Sequence, residues 1–282
     1  MFRLQEVFEK GTDIIVLYSG GKDSTYTLLK LYESGLFNIH VLTFDNSFLK
    51  KEVKDNVTNF TFPPNIVHQY IFPNITVFKN ALRTCYKKFK GSNEYLSFFK
   101  RNGIFCWPCF SFLYDSVYKY AQEHNIKYIF GGWNPGQIDE GKHKTEDKGQ
   151  IPFKEVFNAY VLPFISFLQS NNTETSTFNM DIDDSIKIVP YFFFETYDKN
   201  NIISYILENG WIEPENCESC TSNCNLNQAD RFLYRSFFGF DRYELQIQRM
   251  IEKGLSEPEK RLQVHEEPLD EERVNIILNE IA

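Results

Sequence analysis

The sequence predicts a doubly wound, Rossmann-like parallel α/β sheet with a smaller helical C-terminal region. Three observations point to it. Short apolar runs alternate with helix-period segments across residues 13–133. The first run, Ile14-Ile15-Val16-Leu17-Tyr18, passes through Ser19-Gly20-Gly21-Lys22-Asp23-Ser24 into the helical Tyr26-Thr27-Leu28-Leu29-Lys30-Leu31-Tyr32. A second glycine pair, Gly131-Gly132, follows the run Tyr128-Ile129-Phe130, where a strand end would let a ligand approach the backbone.

The elements are predicted in order from these patterns. After the first strand and its helix, which stops near Gly35, the run Ile39-His40-Val41-Leu42-Thr43-Phe44-Asp45 reads as a second parallel strand. Residues 65–70 read as a third strand, and residues 75–101, carrying Arg83 and Cys85, as a helix. Pro108 near a first turn and apolar residues at three- and four-residue spacing predict a helix through Ala121. Residues 128–130 form the next strand. A polar loop runs to about Gln150, and the polar stretch 170–177 reads as an exposed connector. Ile188-Val189-Pro190-Tyr191 is strand-like and leads to a helix at 200–209 closed by Gly210. The expected organisation is therefore a core domain over 1–165, a flexible connector over 166–185, and a helical, cysteine-bearing region over 186–282. No internal repeat is present.

Charge narrows the partners. With 38 acidic and 30 basic residues the net charge is −8, which disfavours a broad nucleic-acid footprint. Basic groups at Lys50-Lys51, at Lys87-Lys88-Phe89-Lys90 and at Lys100-Arg101 read as solvated helix faces or as a rim for an anionic substrate. A small molecule or a nucleotide is thus favoured as substrate over tRNA. The charged start and the lack of about 20 consecutive apolar residues predict a cytoplasmic chain without a membrane span. The abundant Phe and Tyr most simply fill core and interdomain surface; a homodimer is left open, since its interface is not readable from the sequence.

The first glycine-rich turn reads as a phosphate cradle. Two glycines let the backbone turn and present N–H groups while the following helix points its positive end at an anion. Lys22 adds a point charge, and Ser19 and Ser24 add hydroxyls. The spacing differs from Gly-x-x-x-x-Gly-Lys-Ser/Thr, which disfavours a Walker-type loop. Ligands of such sheets sit beyond the C-terminal strand ends, so Thr43, Phe44 and Asp45 are candidates to hold a base or ribose, and Gly131 and Gly132 to let the cofactor approach the backbone. Asp23 is the candidate to help hold a metal ion, or else to cap the helix.

Six cysteines in a cytoplasmic chain point to metal, cluster or sulfur chemistry more than to disulfides. Cys106-Trp107-Pro108-Cys109 places two thiols at a helix start, where the helix dipole favours the thiolate. Cys217, Cys220 and Cys224 form a second group that reaches the first if the tail folds back over the sheet. Four thiolates would hold a structural zinc, three would hold a 4Fe-4S cluster with one iron left open, and persulfide transfer needs no metal. Cys85 reads as a core residue. The five histidines show no ligand spacing. Arg231, Arg235 and Arg242 read either as an anion clamp or as partners of nearby carboxylates.

The Ser19–Ser24 loop resembles the pyrophosphate loop of the N-type ATP pyrophosphatases, the adenine nucleotide alpha hydrolase (PP-loop, HUP) superfamily. Together with Cys106, Cys109 and a further tail cysteine, the chain resembles the cluster-dependent thiolation enzymes of that superfamily. A closer resemblance is to bacterial PP-loop proteins that include N-acetyl sugar amidotransferase-like and thioamide-forming members. It is carried by Thr43-Phe44-Asp45-Asn46, by Cys106 to Cys109, by Gly132-Trp133-Asn134-Pro135-Gly136-Gln137, and by Trp211-Ile212-Glu213-Pro214 through Asn223-Cys224-Asn225-Leu226-Asn227.

The resemblance implies an ATP- and Mg²⁺-dependent enzyme in which a substrate carbonyl oxygen is adenylated, pyrophosphate leaves, and sulfur displaces AMP. Lys22 and Asp23 would serve the adenylation. Cys106, Cys109 and Cys224 would hold a 4Fe-4S cluster. Cys220 is the alternate third ligand or, left free, a catalytic carrier of persulfide sulfur. A sulfur-donor protein is then an implied partner. The alternative is an ammonia-using amidotransferase with a structural zinc and an ammonia-supplying partner, since no glutaminase domain is evident.

Overall fold

The computed structural model describes residues 3–60, 62, 65–91, 93–138, 146–213 and 224–282. Among these, six strands form one sheet: β1 Thr12–Leu17, β2 Phe37–Phe44, β3 Val67–Ile71, β4 Tyr128–Gly131, β5 Ile151–Pro152 and β6 Lys187–Pro190. Their spatial order is β3-β2-β1-β4-β6-β5, parallel except for the antiparallel edge pair of β5 with β6. Ile14 lies opposite Ile39 on one side and Tyr128 on the other. The strand order reverses between β1 and β4, which opens a crevice beyond their C-terminal ends.

Both faces of the central strands β1 and β4 are buried, as a parallel sheet requires, while the edge strand β3 is largely exposed. Ile14 and Val16 face one hydrophobic layer with Ile39, Val41, Phe130 and Val189, while Ile15 faces the other with Leu42, Ile129 and Ile188. After the short helix α1 Leu4–Val7, the first layer is covered by α2 Lys22–Glu33 and by the helix Lys199–Glu208. The second is covered by the helices Ile75–Gly91 and Cys106–Glu123, and by a longer helical run from Phe153–Val156 through the π-helical turn Phe157–Val161 to Leu162–Ser170.

Two sequence expectations change. The helix predicted over 75–101 is two, Ile75–Gly91 and Leu96–Asn102. Gly91 and Asn93 are poor helix formers, and the Tyr95 ring packs edge-on against Phe167 at 4.8 Å, which fixes the break. The expected boundary at 186 runs through the sheet, because β6 pairs with β4. Within the expected connector, Phe167, Leu168 and Phe178 are buried. The tail also shares the central core: Ala229, Leu233 and Tyr234 of the helix Leu226–Phe238, with Ile277 and Ile281 of the helix Glu271–Ile281, join the layer that contains Ile15 and Ile129.

The tail helices are joined by a buried ionic network. Asp241 accepts from Arg231 Nε at 2.9 Å and from Arg235 Nε at 2.7 Å, and it caps the helix Arg242–Glu252 by accepting from the Tyr243 amide. Arg231 is fully buried and also pairs with Glu267. No described helix is long and apolar enough to cross a membrane. Removing Arg231 (Arg231→Ala) leaves buried acceptors underpaired and is expected to cost about 3 kcal/mol in a urea unfolding titration; a change below 0.5 kcal/mol would show that the network carries no stability.

Candidate functional site

The crevice between β1 and β4 holds a cavity of about 300 Å³. Its walls bring together Lys22, Asp23, Gly132, Cys106, Cys109 and Cys224. Two patterns far apart in sequence, the glycine-rich turn and the thiols, thus open on one space.

The turn is built by local bonding. Gly20 sits at φ +72°, and a Cβ there would lie 2.8 Å from the Val53 carbonyl oxygen, so only glycine fits. Ser24 Oγ donates to the Gly21 carbonyl at 2.9 Å and accepts from the Ser19 amide at 3.2 Å. The indole N–H of Trp211 donates to the Gly20 carbonyl at 2.9 Å, which ties the loop to the segment after the helix Lys199–Glu208. Gly132 crosses the start of α2 so closely that a Cβ would meet the Asp23 carbonyl oxygen at 2.5 Å. Lys22 is held by Asp23 Oδ1 at 2.5 Å and by the Tyr197 hydroxyl at 2.6 Å. Burial, with the negative charge of Asp23, raises the Tyr197 phenol, so it stays protonated. Lys22 is 8% exposed and keeps its cationic head at the rim of the cavity.

Of the three candidates at the end of β2, Phe44 lines the cavity. Thr43 is fully buried, donates to the Tyr18 carbonyl at 2.8 Å and meets His68 Nε2 at 2.9 Å. Asp45 accepts from the Ser47 amide at 2.8 Å and pairs with Lys54 at 3.2 Å. These two polar groups therefore build the loop. Gly131 and Gly132 both line the cavity.

The cysteines converge because the tail folds back. Asn225 donates its amide to the Phe48 carbonyl at 2.8 Å, and Leu49 bridges Cys224, so the loop after β2 seats the tail. Asn46 Nδ2 then lies 3.2 Å from Cys109 Sγ and 3.4 Å from Cys224 Sγ. Cys106 opens the helix Cys106–Glu123, and its sulfur accepts from the Arg242 guanidinium. Cys85 is fully buried in the core, as expected. Cys217 and Cys220, and with them the expected carrier of persulfide sulfur, lie outside the described residues.

The lowering expected of the thiols is not found. Burial pushes Cys106 up against the pull of Arg242, pushes Cys109 well up, and raises Cys224 to about 12. Desolvation by the surrounding protein is the largest cause at each of the three, although all three sulfurs line the cavity. Among the described residues, no three Cys, His, Asp or Glu side chains converge on a point that would hold a single metal ion.

Sequence reasoning missed Asn46, Tyr197 and Asp230. Asn46 stood in a quoted motif at a strand end in the crevice, the position that could have singled it out. Arg231, Arg235 and Arg242 are partners of carboxylates, Arg242 pairing with Asp230 at 3.1 Å. The described histidines pack: His40 meets the Tyr120 hydroxyl at 2.9 Å and His265 meets Glu244 at 2.8 Å.

No protein-family model and no curated protein matches the chain. Among solved structures it is similar to the U34-tRNA thiolase NcsA from Methanococcus maripaludis with its 4Fe-4S cluster, at 12% identity over 98% of this chain and 74% of that one, TM-score 0.42. It is similar to a predicted subunit of tRNA methyltransferase from Methanocaldococcus jannaschii, at 14% identity over 88% and 91%, TM-score 0.38. It is also similar to NMN synthetase from Francisella tularensis, at 11% identity over 99% and 90%, TM-score 0.38. At such identities the likeness does not extend to residues, and the placement of Lys22, Asn46 and the cysteines rests on this chain's own geometry.

Substituting Gly132→Ala forces a methyl group onto the backbone at Asp23, a clash that no rotamer relieves. The expected cost is about 1–3 kcal/mol, read as a lower melting temperature by circular dichroism; an unchanged melt would show that the loop and α2 are not in register as described.

Proposed function

We propose that the chain is a PP-loop enzyme of the N-type ATP pyrophosphatase kind, which adenylates a substrate carbonyl oxygen and exchanges it for sulfur. The observation that supports this most is the shared cavity: the phosphate-type turn and three thiols face the same space. A phosphate cradle alone fits many nucleotide enzymes, and a thiol cluster alone fits many metal sites. Their meeting in one cavity of about 300 Å³ suits a reaction in which an activated carbon and a sulfur source must touch.

The chain's own groups carry the first half. N–H groups at the start of α2 and the Lys22 ammonium receive the β- and γ-phosphates of ATP, and Asp23 would help hold Mg²⁺. The carbonyl oxygen of the substrate attacks the α-phosphorus, and the bond to pyrophosphate breaks. Lys22, fixed by Tyr197 and Asp23, is already in place for the charge that builds on the leaving pyrophosphate. The second half replaces the adenylated oxygen: a sulfur nucleophile adds to the carbon and AMP departs with the former carbonyl oxygen. Phe44, Phe105, Phe110 and Trp133 line the cavity and would limit the water that reaches the adenylate.

Three thiols lining one cavity support a cluster held by three cysteines rather than a single metal ion, for which no three described side chains converge. Cys106, Cys109 and Cys224 are soft ligands on one wall, and a tetrahedral zinc would need a fourth ligand from elsewhere. Cys106, Cys109 and Cys224 would hold a 4Fe-4S cluster, which would supply an open iron site able to carry sulfur. A small molecule or nucleotide is the proposed substrate class.

The test combines two assays on anaerobically purified protein. ATP binding in the presence of Mg²⁺, measured by calorimetry, is expected to weaken at least tenfold in Lys22→Ala while Cys106→Ala, Cys109→Ala and Cys224→Ala keep it. Iron and sulfide after reconstitution are expected near four each per chain in the parent and below one in each cysteine variant. No ATP binding by the parent would overturn the adenylating half. Tightly bound zinc without iron would overturn the sulfur half in favour of the ammonia-using reading.

A further inference from the structure

The three thiols of the cavity are held by residues outside the Cys-x-x-Cys pair, and the holding groups are all N–H donors. Asn46 is 2% exposed at the end of the β2 loop. Its Oδ1 accepts from the Phe48 amide at 2.9 Å, which fixes the orientation of its side-chain amide, because the flipped form would set an NH₂ against an N–H. The NH₂ group therefore faces the thiols, with Cys109 Sγ at 3.2 Å and Cys224 Sγ at 3.4 Å. One side chain thus spans the sulfur from the central helix and the sulfur from the tail.

Arg242 does the same for the third sulfur. It stands at the first position of its helix, behind the Asp241 cap, and its Nη1 donates both to Cys106 Sγ and to Asp230 Oδ2. Asp230 is fully buried, and its Oδ1 accepts from the Ile104 and Phe105 amides at 2.8 Å each, at the start of the helix that carries Cys106. Gly103 makes room: a Cβ there would lie 2.9 Å from Arg242 Cζ.

We infer that Asn46 and Arg242 are positioning residues that set the separation and orientation of Cys106, Cys109 and Cys224 for a soft metal group. The inference deepens the cluster-binding half of the proposed function and rests on it. A sulfur that accepts an N–H bond from a fixed donor is oriented toward its metal as a ligating histidine is by its carboxylate partner. Asn46 joins the central helix to the tail, so it governs the Cys109–Cys224 separation. Arg242 adds a positive charge beside Cys106 and offsets part of the negative charge that a thiolate-held cluster brings into an apolar wall.

The test uses the full chain with Asn46→Leu, Asn46→Ser, Arg242→Met and Arg242→Lys. Two readouts separate positioning from simple folding: the electron paramagnetic resonance signal of the reduced, reconstituted protein, and the sulfur-to-metal absorption when Cd²⁺ alone is added to cluster-free protein. Asn46→Leu and Arg242→Met are expected to release iron to a chelator about tenfold faster than the parent and to shift the resonance signal. Arg242→Lys keeps the charge, and Asn46→Ser keeps a short donor with less risk to the fold; each is expected to recover part of the loss. Cd²⁺ absorption is expected to need about tenfold more metal in the Leu and Met variants. Parent-like iron release, signal and Cd²⁺ titration in folded variants would overturn the inference. A parent that takes up no iron but binds Cd²⁺ through Asn46-dependent thiols would sink the cluster reading and leave the positioning role standing.

Discussion

Asp230 is the joint on which the site depends. Its carboxylate, at no measurable exposure, closes the start of the central helix by accepting two backbone amides, while its second oxygen takes Arg242. Burial pushes this carboxyl up from its ordinary range, and Arg242 and the amides pull it back down. A buried acid of this kind is tolerated only when its lone pairs are filled. Filling them joins the helix that begins with Cys106, the helix Leu226–Phe238 and the helix Arg242–Glu252 at one point. Tyr234 tightens the joint by accepting from the Gly103 amide at 3.1 Å and donating to the Phe99 carbonyl.

From that joint the rest of the cavity follows. The tail, once seated, carries Cys224 to the loop after β2, where Asn46 and Phe48 receive it. The opposite wall is set by close backbone approach: Gly20 against Val53 and Gly132 against Asp23. Lys22 is placed by Tyr197, just beyond β6, so the cationic head depends on the strand farthest along the chain. The sheet, the loop and the tail thus each contribute one side of a single space, and none of them forms it alone.

Much of the sheet was legible because its signal is local. Apolar runs of strand length, bounded by Gly or polar residues, marked β1, β2, β3, β4 and β6 within a residue or three. Gly20 and Gly21 were legible for the same reason, since a tight turn between strand and helix leaves few other choices. The tail cysteine was legible as a candidate, but its place beside Cys109 was not, because that depends on Asn225 meeting Phe48 across 177 residues of chain. Thr43 and Asp45 show the reverse. Their position at a strand end pointed to a ligand, yet their polar atoms close internal bonds to Tyr18 and Ser47. The break between Gly91 and Leu96 was hidden because helix propensity is a weak local prior and the Tyr95–Phe167 contact is tertiary.

The glycine-rich turn and the three thiols share one cavity, where the proposed function has the nucleotide bind. Alkylation of cluster-free protein by iodoacetamide, followed site by site by mass spectrometry with and without Mg²⁺-ATP, tests it directly. Saturating nucleotide is predicted to slow modification of Cys106, Cys109 and Cys224 together at least fivefold, with Cys85 unreactive in both states. Equal rates with and without bound nucleotide would contradict the account.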